Sequence, residues 1–174
     1  RHLLQAAAVI GEEVPIDVWQ AVTEVSDEAL ADVIEQALAV RVMVELPQEP
    51  VLRFRHKLYR QSLYEHMILL RRRSWHRRIA EVLAAEPNPD PDVVARYFSE
   101  AGDPRAAEWL IASGRRAAGA FALAVTAARF EKALAILEGD DHRKRERAWL
   151  LCELAEAYRF TDPQRAIAYL DTAQ

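Results

Sequence analysis

Apolar positions recur every three to four residues along most of this chain, and one stretch departs from that rhythm. Leu3, Leu4, Ala7, Ala8 and Ile10 share a helical face that Gly11 brings to an end. Pro15 and Asp17 open a second, short helix carrying Val18, Trp19 and Val22. Ser26 is positioned to cap a third, whose stripe is Leu30, Val33, Ile34, Ala37 and Leu38. The period then drops to two. Val42, Val44 and Leu46 alternate as a strand, Pro47-Gln48-Glu49-Pro50 turns, and Val51, Leu52 and Phe54 form the returning strand. Helical periodicity resumes over Lys57–Ile68, with Tyr59, Leu63 and Met67 expected to face inward. A further helix carries Trp75, Ile79, Val82 and Leu83.

Pro87-Asn88-Pro89-Asp90-Pro91 cannot continue a helix, and a domain boundary is expected there, giving domains 1–86 and 87–174. Beyond it, Asp90-Pro91, Asp103-Pro104 and Asp162-Pro163 repeat one helix-start signal. Asp accepts from the orphan amides and Pro presets φ. Leu110, Gly114 and Ala117 precede Phe130 and Ala133, as Leu151, Ala155 and Tyr158 precede Ala166, Leu170 and Ala173. Small residues where paired helices touch follow the pattern of a tetratricopeptide repeat, with ordinary α-hairpins as the alternative. Thr126 stands where that pattern has a small Ala, and the connection Gly139–Arg147 is longer than a standard repeat allows. The expected fold is mainly α: a winged-helix-like unit with a two-stranded β-hairpin, then a tetratricopeptide-type helical array.

Composition adds limits. An apolar fraction of 51% and a charged fraction of 29% are those of a globular chain with a substantial core, and a formal charge of −4 selects no partner. Cys152 is the sole cysteine, which excludes an internal disulfide and a cysteine-based metal site. Its place beside Leu151 and Leu154 predicts a buried, inert thiol. No apolar run reaches membrane-spanning length. Both ends fall within periodic segments, so the chain reads as an excerpt of a longer protein, and the lone cysteine fits the reducing cytoplasm.

The helical order, the string FRHKLYRQSLYEHM, the segment RRRSWHRRIAEVL and the opening LLQAAAVIGEEVPIDVW together resemble a known group. They are similar to the region after the nucleotide-binding domain of STAND-class signalling ATPases, among them the large ATP-binding LuxR-type transcriptional regulators. YFSEAGDPRAAEWLIASGRRA resembles the first repeat helices of that group. The resemblance implies a P-loop ATPase domain before this region, further repeats after it and an output domain beyond. The chain holds no G-x-x-x-x-G-K-[ST], so no cofactor is expected on it, whereas the parent would bind ATP or ADP. The resemblance also implies that His56, with Arg55 beside it, senses nucleotide by donating to the β-phosphate of ADP in the ATPase domain. The alternative for His56 is a cap or buttress of the hairpin.

Arg53, Arg55, Lys57, Arg60, Arg71, Arg72, Arg73, Arg77 and Arg78 form a basic belt with Glu65 as the nearby acid. Contact with acidic surfaces of the ATPase domain and simple solvation are the two leading readings. Direct nucleic-acid binding is disfavoured. The third helix, which would be the recognition helix, carries Asp27, Glu28, Asp32 and Glu35 and neither Lys nor Arg. His66 and His76 lack convergent carboxylates or cysteines, so no metal site is expected. Glu12-Glu13 and Asp140-Asp141 are expected as turn acids at helix boundaries, and Trp19, Trp75, Trp109 and Trp149 as packing residues.

No catalytic set is apparent. The expected function is a non-catalytic regulatory arm, in which the first domain reports nucleotide state and the repeats receive a partner protein or small-molecule inducer. A protein-interaction scaffold without nucleotide coupling and a DNA-binding winged helix are the alternatives.

Overall fold

The computed structural model describes residues 2–47 and 49–173; Arg1, Gln48 (within the turn expected from the sequence) and Gln174 lie outside the described residues. Among the described residues the chain is mainly helical, with ten α-helices and a small three-stranded antiparallel sheet. It divides into two compact units, Arg1–Pro89 and Asp90–Gln174.

The first unit begins with α1 (His2–Ile10), β1 (Glu13–Pro15), α2 (Ile16–Thr23) and α3 (Asp27–Ala39). The Ser26 hydroxyl accepts from the Ala29 amide at 3.3 Å, which caps α3 as its sequence predicts. Strands β2 (Met43–Glu45) and β3 (Val51–Phe54) follow, then α4 (Lys57–Glu65) and α5 (Leu69–Ala84). The sheet order is β1-β3-β2, so the expected two-stranded hairpin is one edge of a larger sheet. Pairing of Glu13 with Arg53 and Pro15 with Val51 adds the third strand, and Glu13 is a strand residue, not a turn acid. Pro15 has no amide to donate and is tolerated on this edge strand.

The strand register also differs from the alternation of Val42, Val44 and Leu46. Met43 is the fully buried residue of β2, opposite Phe54, and the strand ends at Glu45. The expected helix Lys57–Ile68 is broken: α4 stops at Glu65, Met67 is buried after its end, and Ile68 precedes α5. Tyr59 faces solvent, not the core, while Leu63 and Tyr64 take the inner positions. The core closes around Ala6, Ala7, Ala8, Val14, Trp19, Leu30, Met43, Leu52 and Phe54. The run of alanines lets α1 lie close to its neighbours, and the Trp19 indole donates to the Leu3 carbonyl at 2.9 Å.

Among the described residues the second unit has helices alone as regular elements: α6 (Pro91–Ala101), α7 (Ala106–Gly119), α8 (Leu123–Leu137), a 3₁₀ turn (Asp141–Arg143), α9 (Lys144–Tyr158) and α10 (Pro163–Thr172). Asp90 and Asp162 cap α6 and α10 through their side chains, each with Pro at the start of the helix. Asp103 differs. Its carboxylate accepts from the Arg105 amide at 3.0 Å and holds the Arg105 guanidinium, and α7 begins only at Ala106. The expected long connection Gly139–Arg147 is shorter, because the 3₁₀ turn leads into α9 at Lys144.

Each helix packs chiefly on its neighbours in sequence, around Leu110, Ile111, Phe130, Leu137, Leu150 and Leu154. Gly114 is required for the closest of these contacts: a Cβ there would lie 2.4 Å from the Phe130 ring. Thr126 occupies a buried position, its hydroxyl satisfied by the carbonyls of Gly114 and Ala122 at 3.3 and 3.2 Å.

Candidate functional site

Strand β3 delivers its chain directly into α4, and the two residues at the junction are Arg55 and His56. Both are exposed. The Arg55 amide donates to the Val42 carbonyl at 3.0 Å, prolonging the β2–β3 ladder by one step. His56 is the N-cap residue of α4 in extended backbone conformation (φ −135°, ψ 134°), yet its side chain makes no cap hydrogen bond. Its ring meets that of Tyr59, with centroids 5.6 Å apart and planes tilted by 56°. The imidazole thus sits at a helix N-terminus, where amides and the helix dipole favour an anion, without being consumed by capping.

The basic belt does not act as one surface. Three of its members close helix C-termini. Arg60 donates to the Ala8 carbonyl of α1 at 2.9 Å. Arg72 donates to the carbonyls of Tyr64 and Met67 at 3.2 and 3.3 Å, with its guanidinium 4.3 Å above the Tyr64 ring. Arg78 reaches the Val22 carbonyl of α2 at 3.5 Å. A guanidinium there satisfies carbonyls that the helix leaves unpaired and opposes the negative end of its dipole. Arg53 pairs with Glu13 at 2.6 Å, and Arg71 meets the His2 ring at 3.2 Å. Glu65, expected as the acid facing the belt, instead accepts from Gln61 at 2.7 Å. Arg55, Lys57 and Arg73 are exposed.

His66 and His76 do not converge. The His66 ring lies 2.7 Å from the Ser62 carbonyl of its own helix, while buried His76 is 3.1 Å from the Tyr64 hydroxyl. Among the described residues no His, Cys, Asp and Glu group could hold a metal ion. Asp27, Glu28, Asp32 and Glu35 all lie exposed on α3.

Comparison with protein-family models, curated proteins and solved structures finds no match to this chain.

The second unit holds a feature that periodicity does not reveal. A groove of about 670 Å³ runs between α6 and α8 over Leu110, with Arg96, Arg129 and Lys132 on its walls. Arg129 donates to Asp92 at 2.9 Å through Nη2, while its Nε is buried without a hydrogen-bond partner. Asp92 also accepts from Ser113 at 2.6 Å and from Arg116. The Ser113 hydrogen bond, helped by the two guanidinium groups and opposed by burial, holds the Asp92 carboxyl below the usual carboxylate range. A partial signal that sequence reading missed is the i, i+3 pair Arg129 and Lys132, which places two cations on one face of α8. Cys152 is a correction: the thiol is exposed, because α9 buries Leu150, Leu151, Leu154 and Ala155 on the other side.

No described helix is long and apolar enough to cross a membrane.

Proposed function

We propose that this chain is a non-catalytic regulatory arm of an ATP-dependent signalling protein of the STAND class. In this reading residues 1–86 are a winged-helix-like unit that contacts a P-loop ATPase domain of the parent. Residues 87–174 begin a tetratricopeptide-type array that receives a partner protein or small inducer. The observation that carries the reading is the β3–α4 junction. It presents His56 and Arg55 to solvent at a helix N-terminus, with the imidazole free of the capping role that would otherwise explain it. In that position His56 would donate to a diphosphate bound by the neighbouring domain, and Arg55 would add charge-assisted contacts. Arg53, Lys57, Arg60, Arg71, Arg72 and Arg73 surround the junction in sequence. Among them Lys57 and Arg73 are best placed to meet acidic groups of the ATPase domain, since Arg60 and Arg72 close helix ends and Arg53 faces Glu13.

Ligand capture by the helical unit would shift the parent between closed and open states only through different affinities for the two. The exposed carboxylates of α3 would repel a phosphate backbone and weigh against DNA binding. The exposed free thiol of Cys152 agrees with a reducing compartment, the cytoplasm. The test is the parent protein. The reading expects a G-x-x-x-x-G-K-[ST] motif upstream of this region and adenine nucleotide bound to the purified full-length chain. A parent with neither would be a scaffold without nucleotide coupling.

A further inference from the structure

The groove between α6 and α8 has a chemical bias. Its floor is apolar, with Leu110 and Ile136, and its walls carry Arg96, Arg129 and Lys132, with the carboxylate of Glu100 beside them. Asp103, which also borders it, is neutralised by the two-pronged grip of Arg105, both contacts at 2.9 Å. Neither Arg96 nor Lys132 forms an ion pair among the described residues. The Arg96 guanidinium lies over the Tyr97 ring at 4.8 Å, and Asp92 anchors Arg129 with its Nε still unpartnered. The groove's volume of 670 Å³ is within the range of about 300–1,000 Å³ common to small-molecule sites.

We propose that this groove binds a small amphipathic organic anion, its carboxylate or phosphate head between Arg96, Arg129 and Lys132 and its apolar body on Leu110 and Ile136. An apolar floor lowers the local dielectric, so each cation attracts the head more strongly than it would in open water. A cationic ligand would meet Arg96 and Lys132, which no carboxylate pairs among the described residues, against Glu100. A nucleic-acid strand would need a longer basic track than three side chains, and Glu100 interrupts it. The proposal deepens the reading of the helical unit as a ligand-receiving arm and rests on it.

Three probes that share one ring system and differ in the head group separate the possibilities: 2-naphthoate, naphthalene-2-methanol and naphthalen-2-ylmethylamine. Titrations of the whole chain followed by backbone amide shifts are expected to show 2-naphthoate perturbing α6 and α8 around Arg96 and Lys132. Its affinity should be about tenfold above that of the neutral alcohol, the gain typical of a charge-assisted contact. The double variant R96Q/K132Q should erase that difference. Both side chains are exposed and carry no ion pair among the described residues, so the fold should persist, and an unchanged amide spectrum outside the groove checks this. Equal binding of naphthoate and alcohol at the groove would overturn the anion preference and leave a ligand-receiving arm. No shift at α6 or α8 with any probe would overturn the site as well, whereas nucleotide coupling in the parent is read independently.

Discussion

The two units are held together in opposite ways. In the first, residues far apart in sequence meet: Glu13 pairs with Arg53, the Phe54 amide donates to the Glu12 carbonyl at 3.0 Å, and Arg60 closes α1 at Ala8. In the second, each helix rests chiefly on the one before it, and the Gly114–Phe130 contact joins adjacent helices. A unit built from distant pairings loses all of them at once. A linear stack of helices can open from an end. The first arrangement suits a rigid junction such as the one that presents His56. The second suits a surface whose pieces shift to admit a ligand.

The comparison is broken most forcefully by emptying the two cores. Trp19→Ala and Phe130→Ala should each cost about 3–5 kcal/mol, measured by denaturant unfolding. Hydrogen exchange should then differ in pattern. Trp19→Ala should deprotect α1, the sheet and α5 together, whereas Phe130→Ala should deprotect α7 and α8 first. Uniform loss of protection across residues 90–174 would remove the contrast.

A smaller effect comes from Gly114→Ala. The new methyl must displace the buried Phe130 ring, and overpacking of this kind costs about 1–3 kcal/mol. The change should appear as shifted ring resonances of Phe130 and of Trp149, which packs edge-on against it at 6.1 Å.

The acid limb of stability sharpens the contrast further. The folded carboxyl of Asp92 titrates below its unfolded value of about 3.9, so its contribution is complete only at about pH 5 and above. That contribution is lost as pH falls through the lowered folded value. Asp92→Asn should therefore flatten the acid dependence of the second unit and lower its stability at neutral pH, both measured by pH-dependent melting.

The smallest effect concerns Phe121, which is 88% exposed and sits in the left-handed region at φ 58°. Phe121→Gly should relieve that conformation and raise stability by about 0.5–1 kcal/mol, seen as a modest rise in Tm.

What the sequence disclosed follows the range of the interactions. Helix starts at Ser26, Asp90 and Asp162 were legible because a cap is decided within three residues. Strand β1 was not, because three residues ending in Pro15 carry no periodicity, and the partner that makes them a strand lies forty positions away, at Arg53. Cys152 and Tyr59 were assigned to the wrong side for a related reason. Apolar residues on both faces of α9 and α4 leave the phase to be set by whichever helix packs against them. The His56 junction was visible as a strand running into a basic helix. The groove cations were not, because Arg96 and Lys132 meet only when α6 and α8 flank Leu110.

The nucleotide-sensing role proposed for His56 is tested most directly by the rate at which ADP leaves the full-length parent protein, compared between wild type and His56→Ala. Faster release from the variant, with an unchanged fold, is the predicted result. Equal release rates would contradict a role for this junction in reading the nucleotide.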